Sequence, residues 1–216
     1  MQQRSTRTLY SYWNEIRGAR STPERRDIDP TRIRDALAHT FILESLDGAD
    51  FTFRLAGSHI CATYCRELKS RPFSMLWSAR DHDALETLMR AVTEDHAVAL
   101  VTFEGATERG EKLMFELALF PLRHNGVTSS RILGGLTALD TPYWLGIHPI
   151  VDQRITGLRL IWPDDRETVT ADGYRNPVLD DIAAAMNDSA MPMPATVAGY
   201  SARRYAHLSV IDGGKN

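Results

Sequence analysis

The sequence predicts an α+β domain: a five-stranded antiparallel sheet with helices over one face, preceded by a helix and followed by an extension. Three observations carry this. Five short segments between 39 and 140 are apolar or alternating at strand length. Two connections hold Asp47-Gly48 and Asn125-Gly126, dipeptides that favour tight reversals between antiparallel strands. A single long 3.6-residue stripe, in DHDALETLMRAVTEDH, separates the second strand segment from the third.

The elements follow in order. Leu9, Trp13 and Ile16 stand at i, i+4 and i+7 with Tyr12 beside them, one apolar stripe on an Arg-bearing helix that stops near Gly18. Such a stripe must be covered, either by the outer face of the sheet or by a second copy of the chain. Asp29-Pro30 then opens a short helix as N-cap and first helical residue, with Ile33 and Leu37 on its buried side. HTFILESL (39–46) and FTFRLAG (51–57) form a hairpin. In its second strand Phe51, Phe53 and Leu55 alternate with Thr52 and Arg54.

Residues 58–77 form short helical turns broken at Pro72, and Leu85, Leu88, Met89 and Val92 mark the core side of the long helix. VALVTFEG (98–105), KLMFELALFPL (112–122) and RILGGLTALD (131–140) complete the sheet. The last two are apolar on both faces, so both sides of the sheet are expected to be covered. Alternation puts Phe53, Leu55, Phe115 and Leu117 towards the helices. It puts Met114, Ala118, Phe120, Ile132, Leu136 and Ala138 on the outer face. ITGLRLIW (155–162) reads as one more strand in an extension over 141–163. From 164 the chain is polar and rich in Pro and Ala, a poorly ordered tail with one short helix around 177–187.

Composition sets the class. A chain of 216 residues fits one domain with extensions; 43% apolar and 25% charged residues are ordinary for a globular protein. The net charge of −3 argues against general nucleic-acid binding. Residues 1–34 hold eight arginines against four acids, read as a solvated helix face with flanking loops, with an acidic-partner site as the lesser alternative. No apolar run spans a bilayer, the first residues show no signal-peptide core, and two cysteines make no disulfide framework. A cytoplasmic location is the expectation.

The strand order, with FTFRLAGSHICATYCRELKSRPFSMLW and LMFELALFPL, resembles the PAS domains, in particular stand-alone bacterial PAS proteins of about this length without a fused output domain. YWNEIRGARSTPERRDIDP before the first strand and HLSVIDGG at the end are similar to flanking signatures of that group. The resemblance implies a helical segment over 1–38 and a PAS core over 39–140. It also implies a pocket under the helices that holds a small ligand in some members and is filled by side chains in others. Sensing, protein–protein signalling and dimerisation through an N-terminal helix are the usual roles.

Candidate site residues follow. The pocket is expected among Phe53, Leu55, Ile60, Tyr64, Phe73, Trp77, Leu85, Met89, Phe115 and Leu117. The dimer interface is expected at Leu9, Tyr12, Trp13 and Ile16. Cys61 and Cys65 are i, i+4, and no further ligands stand at metal-site spacing; they read as two small buried side chains. Flavin photosensors of the PAS class carry Gly-Arg-Asn-Cys where this chain has Ser70-Arg71-Pro72-Phe73, which argues against thiol–flavin photochemistry. His59, His82 and His96 are the candidate haem ligands by location, and a capping or surface role is preferred for each.

Asp81, Asp83 and Glu86 cluster where acids meet a helix dipole. Glu104, Glu108 and Glu111 read as solvated. Glu116, mid-strand among apolar residues, is expected on the face opposite the pocket, paired with an arginine of the first helix. No nucleophile–base pair or metal set assembles. The expected function is a regulatory module that binds a small apolar ligand, a partner protein, or both. A small-molecule enzyme and a ligand-free adaptor are the alternatives.

Overall fold

The computed structural model describes residues 1–45, 50–125 and 127–162. Its centre is a six-stranded antiparallel sheet in the order β2–β1–β5–β4–β3–β6. The strands are β1 (Thr40–Glu44), β2 (Thr52–Ala56), β3 (Val98–Thr107), β4 (Lys112–His124), β5 (Val127–Ala138) and β6 (Ile150–Ile161). Five strands were expected. The sixth pairs with β3 from Thr107↔Ile150 to Val98↔Ile161, so the expected 155–162 segment is, up to Ile161, the end of a strand that starts at Ile150. Its first residues, IVDQR, are mostly polar, which is why alternation did not reveal them.

The inner face is covered by α2 (Ser58–Thr63), α3 (His82–Thr93) and two 3-10 turns, Ser74–Leu76 and Ala79–Asp81. The outer face is covered by α1 (Arg4–Arg17) and by the 3-10 helix Pro30–His39. Local chemistry starts and stops these elements as expected: Gly18 ends α1 at φ 58°, and the Asp29 carboxylate accepts Thr31 N–H at 2.9 Å beside Pro30.

The α1 stripe answers the question of its own cover. Leu9, Tyr12 and Trp13 are buried, Ile16 is half-buried, and all four pack on this chain's own sheet with Phe120, Leu122 and Leu133. The residues offered for a second copy are therefore occupied within one copy. Trp13 Nε1 donates to the Pro121 carbonyl at 2.9 Å. Pro121 is tolerated in β4 because the pairing of β4 with β3 ends at Ala99↔Leu119, two residues short of it.

Two face assignments change. Ile132, Leu136 and Ala138 pack in the inner cluster, not on the outer face. Alternation splits a strand into two sets; the cross-strand register Leu117↔Leu136 and Phe115↔Ala138 decides which set is inside. Leu55 was expected inside and is 48% exposed. The register slips between Ile42 and Leu43, so that Leu55 faces Ile42 while Phe53 faces Leu43 and Arg54 has no opposite residue. This bulge breaks the period of two and turns Leu55 outward. The expected tail over 164–216, with its helix around 177–187, and the Asp47-Gly48 turn lie outside the described residues.

Candidate functional site

A void of about 10 Å³ lies at the centre of the inner layer. Phe53, Ile60, Tyr64, Phe73, Trp77 and Leu117 line it as expected. Leu85, Met89 and Phe115 belong to the same buried cluster but do not reach the void, and Leu55 is on the other face. Phe41, Leu76, Phe103, Leu136 and Gln153 complete the lining and were not foreseen.

The space is small because aromatic rings fill it. Phe53 meets Phe41 and Phe73 edge-on with centroids at 5.4 and 5.7 Å, Trp77 meets Phe103 at 5.1 Å, and Phe103 stacks on Phe115 at 5.0 Å. Edge-to-face contacts suit the ring quadrupoles and hold the wall rigid. The remaining space is about what one water needs.

Polar groups are few at this void. Gln153, 2% exposed, donates from Nε2 to the Tyr64 hydroxyl at 2.9 Å. Burial pushes the Tyr64 phenol well above its ordinary range, against the opposing pull of the Gln153 bond, so the ring enters as a neutral group. Among the described residues, Gln153 Oε1 and Trp77 Nε1 are buried without a hydrogen-bond partner. Gln153 escaped sequence analysis because it stands in a polar stretch. It faces inward because it pairs with Gly105, between Ile150 and Ile155.

The other candidates resolve as follows. Cys61 is half-buried and Cys65 is exposed. Cys65 lies past the end of α2 at φ 48°, so the two cysteines do not share a helix face and Cys65 is not a core residue. Asp81 is buried and accepts from Ile155 N–H of β6 at 3.2 Å, so it ties the start of α3 to the new strand as well as standing at a helix terminus. Glu116 is on the outer face and 3% exposed, but its carboxylate accepts the backbone N–H groups of Gln2 at 2.7 Å and Gln3 at 3.1 Å. It holds the start of α1 through the main chain, where an arginine partner was expected. His82 Nε2 lies 3.1 Å from the Trp77 carbonyl, a local bond at the mouth of α3. Glu111 accepts from Thr107 Oγ1 at 2.9 Å and contacts His148 Nδ1 at 2.8 Å, so it is not simply solvated. His59 sits against His39, a residue the sequence did not single out.

Three solved structures are similar to this chain at low identity. One is a light-oxygen-voltage domain from work on a flavin analogue, 15% identical, covering 52% of this chain and 85% of its own, with a TM-score of 0.41. A second is the PAS domain, in complex with ethanol, of a LuxR-family transcriptional regulator from Burkholderia thailandensis: 15% identical, 53% and 100% covered, TM-score 0.39. The third is the PAS domain of a protein from Colwellia psychrerythraea: 14% identical, 51% and 98% covered, TM-score 0.39. No curated protein matches the chain. A family model described as PAS domain matches residues 1–137, from the residues just before α1 to the penultimate residue of β5. That span is more than half of the 216 residues, and the chain belongs to the PAS-domain family.

Proposed function

We propose that this chain is a cytoplasmic regulatory module that takes a very small molecule into its inner layer and signals through a separate partner protein. The observation that supports it is the pair of buried, unpartnered polar atoms, Trp77 Nε1 and Gln153 Oε1, on two of the residues that line a mostly apolar void. Each buried group without a partner costs about 1–3 kcal/mol. A guest with an acceptor for the indole N–H and a donor for the amide oxygen recovers that cost. The polar groups at the void are a neutral phenol, an amide and an indole, which suit recognition better than catalysis.

The second reading is a ligand-free adaptor, and the 10 Å³ volume favours it. Gln153→Leu separates the two. Native mass spectrometry and a fragment screen by protein NMR, run on parent and variant, are the measurements. The sensor reading expects small-molecule shifts at Trp77 and Tyr64 in the parent that disappear in the variant. A parent without such shifts, and a variant that is more stable and binds partner protein equally well, would establish the adaptor instead.

A further inference from the structure

His39 closes the 3-10 helix Pro30–His39 of the outer layer, and His59 lies in the first turn of α2 in the inner layer. His59 Nδ1 is 3.1 Å from His39 Nε2, and the rings meet edge-on with centroids at 4.5 Å. The backbone holds them there. Gly57 N–H donates to the Thr40 carbonyl at 2.8 Å. A side chain on Gly57 would collide with the carbonyls of Leu37 and Ala38, so the end of the 3-10 helix and the residue before α2 are in direct backbone contact. His59 is exposed and His39 half-buried, which leaves the pair open to solvent on one side.

We propose that His39 and His59 form a two-imidazole site for a divalent transition-metal ion of the copper, nickel or zinc type. An ion about 2.0–2.1 Å from each nitrogen would see the pair at roughly 95–102°. That lies between the right angle of square-planar or octahedral coordination and the tetrahedral angle. Waters complete the shell. Without the ion, one ring must donate its proton to the other; with it, the metal replaces that proton and both lone pairs are used. Bound metal would clamp α2, whose Ile60 lines the central void and which Tyr64 follows directly, to the outer layer.

The test is calorimetric titration of the full chain with copper(II) and with zinc(II), beside NMR of the copper(II) complex. One saturable site is expected, tighter for copper than for zinc. Paramagnetic broadening is expected to centre on residues 37–40 and 57–60. His59→Gln and His39→Gln should each weaken binding about tenfold or more, while His124→Gln leaves it unchanged. His59 is exposed, so its variant decides the matter even if His39→Gln folds poorly. No saturable binding, broadening centred elsewhere, or equal affinity in His59→Gln would overturn the site and leave a shared proton as the whole role of the pair.

Discussion

Gly134 and Gly135 stand side by side in β5 and face opposite layers. A methyl group on Gly134 would run into the tip of the Phe41 ring, and one on Gly135 would come 2.6 Å from Leu9 Cδ1. The first absence seats an inner-layer ring and the second seats α1. Gly134→Ala should therefore cost about 1–3 kcal/mol by overpacking, read from the urea midpoint. The same change in a Phe41→Leu background should cost less, since the two positions share one space; an equal cost would mean that the ring is not what the glycine accommodates. Tyr64 gives a second expectation at this scale. Its hydroxyl is the described partner of the Gln153 amide, so Tyr64→Phe should destabilise by about 1–3 kcal/mol by leaving that amide wholly unpaired. A Gln153→Leu background should erase most of the loss. Additive losses would show that the pair is not coupled.

At the scale of elements, the strands are joined by a few polar ties. His148, in the β5–β6 connection, contacts Glu111 at 2.8 Å, and Thr107 of β3 donates to the same carboxylate. Desolvation pulls Glu111 upward, but the bonds from His148 and Thr107 outweigh it and hold the carboxyl below its ordinary range. A folded-state value below the unfolded one means stabilisation that is full above the unfolded value. It is lost as pH falls through the folded value. The 141–149 connection should therefore exchange amide hydrogens faster, relative to the rest of the sheet, as pH drops below the usual carboxylate range. His148→Ala should show the faster exchange already at neutral pH. Equal protection in variant and parent at neutral pH would remove the tie from the account. The outer layer has its own tie, since the buried Glu116 carboxylate receives the first two N–H groups before α1, where acceptors suit a helix N-terminus.

For the whole molecule, the position of α1 decides how assembly is tested. Its stripe is consumed by the sheet, so replacing Trp13 and Ile16 together by Asp should unfold the outer layer. The thermal midpoint should fall by the same amount at every protein concentration. A parent midpoint that rises with concentration, and a variant that loses the rise, would instead place a second copy on the stripe. The order of elements, the helix starts at Asp29-Pro30 and before Leu85, the stripe on α1 and most of the void-lining aromatics were readable from the chain. Each follows from local steric preference or from a hydrophobic period, which depend on near neighbours in sequence. Register determined the rest. The bulge at Arg54 moved Leu55 out, and cross-strand pairing moved Leu136 and Ala138 in. The pairing of β6 with β3 brought Gln153 to Tyr64, 89 positions away. The His39–His59 contact likewise depends on two helix ends meeting across a hairpin. Such contacts arise between segments distant in the chain, where no local period records them. The sequence by itself thus determined which segments are strands and helices and which sides are apolar. Only the tertiary structure decided which apolar side is inside, because that depends on which residue lies opposite.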